Sequence, residues 1–315
     1  MQTASTLCRR FLWLGLGILV MGACWAQFGQ GFGRGQGGGN EGQLVRTEGG
    51  DLVDENTVRT ARETAGHSVD LPEWTNPDAF KDDTFTFARI IFHSLPGRPS
   101  WAGWVNDYPD ADLNLSYRLH QLTSLHIDPD GRVLKLTDPA LPNYPLIWMS
   151  KPGGLQFRDE EIAPLRKYLQ NGGVLLVDDF WGDREWENFA SQIQRVLPAG
   201  HWKDLAMDHP IFHCVFNLKG PMNQLQVPSI HLWERGYDPA NPRSAASAYR
   251  GPGSDEMHVR AWLDAKQRIM VLALFNTDNG DGFEREGENQ TYFAEFSEPR
   301  AYPLIINIIY YLMTN

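Results

Sequence analysis

Two acids, Asp178 and Asp179, stand directly behind the apolar run Val174-Leu175-Leu176-Val177. A carboxylate pair at that position can work as general acid and base, or offer hard oxygens to Mg²⁺ or Ca²⁺. The bland alternative is that an Asp at a strand end closes a turn by accepting nearby backbone amides. Side chains alternate along an extended chain, so one of the pair is expected to face a crevice and the other to serve backbone N–H groups. Trp181, Glu185 and Trp186 follow within eight residues. An aromatic wall beside carboxylates suits a sugar or a peptide, although tryptophan is also ordinary filler where a helix meets a sheet.

A second acidic group, Asp107, Asp110 and Asp112, lies in NDYPDADLN. Its spacing lacks the glycine and distal glutamate of a calcium-binding EF-hand loop, so capping and turn duty compete with cation binding for Asp110 and Asp112. Trp101, Trp104 and Tyr108 could form a stacking surface or a hydrophobic cover over the sheet edge. His93 ends an apolar run, a suitable place for a site. His209 and His213 are four apart, but Pro210 argues against a helix there, and on a strand they would lie about 13 Å apart, too far for one ion. One of these two is expected to be buried and hydrogen-bonded, and Cys214 to be a small core residue. Asp278, Asn279, Asp281 and Glu284 sit in FNTDNGDGFERE, which reads as a cation loop or as a hairpin tip set by Asn-Gly and Asp-Gly. The catalytic and metal-ligand candidates are therefore Asp178, Asp179 and Asp107. The ligand-contacting candidates are His93, Trp104, Tyr108, Asp110, Trp181, Glu185 and His209. A divalent metal is chemically compatible with this set, and no nucleotide- or flavin-binding pattern is present.

The elements that must position these residues alternate. FTFARIIFHS reads as a strand, ADLNLSYRLHQLTS as a helix whose first turn Asp112 or Asn114 could cap, and RVLKL and Leu146–Met149 as strands. FRDEEIAPLRKYLQNGG has early acids, later bases and a glycine stop, the order that a helix dipole favours. VLLVDD is a strand buried on both faces, followed by a helix from about Arg184 to Val196. EMHVRAWLDAKQRIMVLALFNTD reads as two strands around a turn at Asp264–Lys266, and Ala301–Met313 as an amphipathic helix. Strands alternating with helices over short connections imply a mainly parallel sheet in a three-layer α/β sandwich. In such sheets ligands bind outside the carboxyl ends of the strands, so the aspartate pair is expected at an open rim.

Residues 1–26 order two arginines, an apolar segment and small residues as a cleaved signal peptide does, with Cys24 in a Met-Gly-Ala-Cys box offering lipidation as the lesser alternative. Neither form retains a transmembrane helix. Residues 27–82 read as a glycine-rich tether and an irregular lead-in with a modest helix over 54–65, and 83–315 as the α/β domain. The net charge of −11 becomes −13 without Arg9 and Arg10, which argues against a nucleic-acid partner. Export to the periplasm or cell envelope is expected.

DYPDADLNL, GGVLLVDDFWGDREWENF, DHPIFH and FNTDNGDGFE together resemble domain-of-unknown-function family 4159 over about residues 83–315. The resemblance implies a flavodoxin-like fold similar to class I glutamine amidotransferases, in exported bacterial proteins often encoded near MoxR-type ATPases and von Willebrand A-type membrane proteins. Those amidotransferases place a nucleophilic Cys in a Gly-x-Cys-x-Gly turn after a central strand. Here the turn reads Val177-Asp178-Asp179-Phe180-Trp181, without the small flanking residues of a strained elbow. Two functions follow as expectations: a non-catalytic binding or assembly module on a borrowed scaffold, or a carboxylate-based, metal-assisted hydrolase of a sugar or peptidoglycan-like substrate.

Overall fold

The structure is a computed structural model and describes residues 44–67, 73–80, 83–98, 103–236 and 252–315. Residues 1–26 with Cys24, read as a signal peptide, the glycine-rich stretch read as a tether, and Trp101 lie outside the described residues. Residues 42–315 form one compact unit. It begins before Asp83: β1 (Leu44–Arg46) and β2 (Leu52–Asp54) pair antiparallel, and Val45, Val53 and Val58 join the core. The helix expected over 54–65 shrinks to a single 3₁₀ turn at Ala61–Glu63. Asp54 turns the chain by accepting the Asn56 N–H, and the Arg59 carbonyl is taken by the Val133 amide, so tertiary pairing overrides a weak helical period.

The FTFARIIFHS segment divides into β3 (Thr84–Phe85) and β4 (Ala88–Ile91), because β3 pairs with β5 (His126–Ile127) in a separate two-stranded sheet. Then come α1 (Asp110–Leu122), β6 (Arg132–Lys135), β7 (Leu146–Ser150), α2 (Asp159–Gln170), β8 (Val174–Asp178) and α3 (Gly182–Val196). The remainder is β9 (Trp202–Asp204), α4 (Ile230–Gly236), β10 (His258–Leu263), β11 (Ile269–Phe275), α5 (Asn279–Glu284), a turn at Gln290–Tyr292 (α6), a π-helical stretch over Phe293–Ala301, and α7 (Tyr302–Thr314).

The main sheet has seven strands in the order β6-β4-β7-β8-β11-β10-β9. The first five run parallel, and β10 is antiparallel to both of its neighbours. Alternation along each central strand feeds two cores. Leu175 and Val177 of β8 face the side packed by Leu165, Leu169, Phe189 and Ile193 of α2 and α3. Val174 and Leu176 face the side packed by Leu115, Leu119, Leu304 and Ile305 of α1 and α7. Helices thus cover both faces, which is why β8 and β11 carry unbroken apolar runs. No helix among the described residues is long and apolar enough to cross a membrane.

Candidate functional site: an acidic cluster at the carboxyl edge of the sheet

Sheet order reverses between β4 and β7, and four adjacent parallel strands, β4, β7, β8 and β11, deliver polar residues to the same edge. Asn106 and Asp107 come from the loop after β4. Ser150 ends β7 and Lys151 follows; Asp178 ends β8 and Asp179 follows; Asn276, Asp278 and Asn279 follow β11. Four of these residues, Asp107, Lys151, Asp179 and Asn276, hold positive φ between 54° and 60°. Non-glycine residues seldom adopt that conformation, and its clustering at one edge marks stored backbone strain. It also corrects the reading of the turn after β8: a strained elbow forms there without small flanking residues, with Asp179 at its positive-φ position.

The strain is held by buried hydrogen bonds. Arg89 of β4 donates through Nε to both oxygens of Asp112 at 3.0 and 2.9 Å, and through Nη1 to the carbonyls of Trp104 and Asn106 at 2.8 Å each, fixing the loop that presents Asp107. Asp107 Oδ1 accepts from Asn106 Nδ2 at 2.6 Å, and Oδ2 from Ser150 Oγ at 2.8 Å. Asp179 accepts from Trp181 Nε1 at 2.8 Å and Asn106 Nδ2 at 3.1 Å, with Lys151 Nζ at 3.2 Å. Asp178 accepts from Asn279 Nδ2 and the Gly280 N–H, both at 2.9 Å. Asn276 Oδ1 accepts from the Gly182 amide while its Nδ2 donates to the carbonyls of Gly253 and Glu256. Gly280 allows close approach, since a Cβ there would lie 2.0 Å from Asp107 Oδ2.

FNTDNGDGFERE is not a hairpin tip. Asp278 accepts the Asp281 N–H at 3.1 Å and starts α5, whose carbonyls at Phe283 and Glu284 receive Asn114 Nδ2 of α1. The segment packs against α1, so the polar faces of both elements become buried. Asn114 is therefore an inter-helix tie, and Asp112 is the partner of Arg89; neither caps α1, whose N-cap position is Pro109, without a side-chain cap.

Asp107, Asp178, Asp179, Asp278, Asp281 and Glu284 are all at most 6% exposed. Burial raises the Asp107 carboxyl well above its usual range, with Asp281 and Asp179 adding to the rise against Lys151. Asp178 is pushed to about 8, chiefly by burial. Burial and the nearby carboxylates also raise Asp281 and Glu284. Six carboxyl groups around Lys151 and Arg285 cannot all ionise out of water. The aspartate pair thus lies at the expected edge, but beneath the surface, not on an open rim.

The other candidates scatter. Asp110 is buried and accepts the His67 N–H, so it belongs to the framework. Trp104 and Tyr108 are 2% and 1% exposed and form the hydrophobic cover; Trp104 Nε1 donates to Glu55 and the Tyr108 hydroxyl to the Thr60 carbonyl. Trp181 is buried on Asp179, and Glu185 accepts the Trp181 N–H and Arg98 Nη2 at 2.9 and 2.8 Å. His93 lies half-buried, its Nδ1 3.7 Å from Glu161 Oε1, lining a hollow of about 380 Å³ with Arg98 and Trp104. His209 caps a 3₁₀ turn by accepting the Ile211 N–H, and His213 bonds Asn217 and the Met207 carbonyl. Neither histidine is buried and no strand forms there, since Pro210 opens the 3₁₀ turn. Cys214 is exposed, not a core residue.

Asn106, Ser150, Lys151 and Glu48 join the cluster although they are not among the sequence candidates. Ser150-Lys151 directly follows Leu146–Met149, the same signal that drew attention to Asp178-Asp179. Nothing local marks Glu48, which bonds His231 Nε2 at 2.8 Å and Arg285 at 3.1 Å across the fold.

An open cleft of about 570 Å³ lies on the antiparallel side of this edge, between the start of α3 and β9–β10. Trp186, Trp202 and Phe275 line it, with Asp183, Asp204, Asp255, Glu256, His258 and Arg260. The Arg260 guanidinium stacks 4.1 Å from the Trp186 ring centre and bonds Asp204.

A family model described as a domain of unknown function, DUF4159, matches residues 86–313, which takes in every strand of the main sheet and all of the acidic cluster except Glu48. The chain belongs to the DUF4159 family. No curated protein matches it. In this DUF4159 chain the matched region opens just after β3, so β1, β2, β3 and Glu48 precede it.

Proposed function

We propose that this protein is a non-catalytic binding module of the bacterial cell envelope, on a flavodoxin-like scaffold related to the class I glutamine amidotransferases. One observation carries the reading: Asp178 and Asp179 behind β8 are buried and hydrogen-bonded by the chain itself, while the neighbouring cleft is open. Asp183, Asp255 and Glu256 contribute carboxylates to that cleft beside half-buried Trp186 and Trp202. That lining suits a ligand with a flat apolar face and several hydroxyl or ammonium donors, the chemistry of an amino-sugar glycan or a basic peptide. The basic-apolar-small order of residues 1–26 supports export, and family resemblance supports partners near MoxR-type ATPases and von Willebrand A-type proteins. The hydrolase reading draws on Asp178, whose carboxyl is pushed up by burial to about 8, the range of a general acid.

The test is a tryptophan-fluorescence titration of the purified protein with soluble peptidoglycan fragments and with a lysine-rich peptide. Saturable quenching that Trp186→Ala abolishes, without product in the same samples, is expected. Turnover of a fragment that Asp178→Asn removes would replace this reading with the hydrolase.

A further inference from the structure

The acidic cluster is arranged as a container for an ion. Carboxylate oxygens of Asp107, Asp179 and Asp278 all lie within 4.8 Å of one another, as do those of Glu48, Asp107 and Glu284. Asp107 belongs to both sets. The first set is fully buried, whereas Glu48 of the second reaches solvent from the β1–β2 hairpin, so the second set marks the way in. We infer that Asp107, Asp179 and Asp278 hold one hard divalent cation, Ca²⁺, beneath the carboxyl edge of the sheet, and that it enters past Glu48 and Glu284.

Close acids alone would not carry this, but a buried amide oxygen in the same cluster, that of Asn279, has no hydrogen-bond donor. Glu284 is 6% exposed, and its Oε2 accepts no hydrogen bond. Its one close cation is Arg285 Nε at 2.8 Å, out of line for donation. Asn279 is 1% exposed, and its Oδ1 likewise accepts nothing, although its Nδ2 is engaged on Asp178. Buried oxygen acceptors in a folded protein are nearly always satisfied, so the Asn279 oxygen, next in the chain to Asp278 and on a side chain held by Asp178, points to a missing positive partner. Lys151, which reaches Asp179 and Asn106, brings one positive charge to three carboxyl groups.

The donor set chooses the ion. Carboxylate and amide oxygens, without sulfur or imidazole, select hard cations over Zn²⁺ or Cu²⁺. Mg²⁺ keeps several waters and a strict octahedron, which side chains buried this deeply do not accommodate. Ca²⁺ accepts six to eight protein oxygens in irregular geometry.

The experiment uses the purified protein stripped with EDTA. Ca²⁺ at roughly 100-fold above its Kd is expected to raise Tm by about 5 °C. Tb³⁺, a luminescent substitute for Ca²⁺, should emit on tryptophan excitation, because Trp181 Nε1 sits 2.8 Å from Asp179 Oδ1. Ca²⁺ should displace that emission. Asp107→Asn should lose both responses; if it does not fold, Trp181→Phe serves, losing most of the emission and keeping the Ca²⁺-induced shift. No Tm shift with Ca²⁺, a shift that persists in folded Asp107→Asn, or emission undiminished in Trp181→Phe would each overturn the assignment. A response to Mg²⁺ without one to Ca²⁺ would overturn it as well.

Discussion

Asp178 offers the sharpest test of how the sealed edge is built. Its ordinary carboxyl value is 3.8 and burial pushes it to about 8 in the folded protein. The unfolded chain therefore releases this proton about four pH units earlier than the folded one. The sign follows: stability from this group is complete below about pH 4 and is lost as pH rises through about 8. At about 1.4 kcal/mol per unit, the loss is on the order of 5 kcal/mol. Asp178→Asn removes the titration without changing shape. The new amide oxygen can accept from the Gly280 N–H, and its NH₂ can donate to Asn279 Oδ1, which accepts nothing at present, once that amide turns over. Urea unfolding in EDTA at steps from pH 4 to pH 9 measures this. The variant should gain on the wild type across the range, the difference growing by several kcal/mol toward pH 9. Parallel curves, differing by a constant within about 1 kcal/mol, would refute the claim that Asp178 is neutral in the fold.

Other outcomes follow from single contacts. Arg89→Met leaves Asp112 buried without its counter-charge and releases the Trp104 and Asn106 carbonyls; a loss of about 3–5 kcal/mol by urea unfolding is expected. Gly280→Ala drives a methyl into Asp107 Oδ2 and should cost about 1–3 kcal/mol by the same measurement, with any Ca²⁺-induced Tm shift reduced. Asn307, buried in the apolar α7, accepts the Val215 and Phe216 amides and donates to the Phe216 carbonyl, so Asn307→Leu should lower Tm by several degrees. Cys214 is exposed, and a maleimide should label it in the native state; burial raises the thiol, so labelling should quicken from pH 7 to pH 9.

How much of this was legible beforehand divides along a physical line. The apolar run of β8, the dipole-ordered charges of α2 and the glycine stop at Gly172 are local signals, and they place strand, helix and strand correctly because burial and helix electrostatics act within a few residues. The sequence also located the carboxyl edge, since polar residues behind a doubly buried strand have nowhere else to emerge. It could not say whether Asp178 and Asp179 would be open or sealed. That depends on α5, a hundred residues later, packing against α1 and carrying Asp278, Asn279 and Gly280 over the edge. Nor could it recognise Lys151, Glu48 or Asn106 as members of one cluster, or see that Trp104 and Tyr108 turn inward around Arg89. Segment identity is written in local spacing; the company a charge keeps is decided only when distant segments meet, because desolvation and Coulomb forces depend on distances that chain order does not specify.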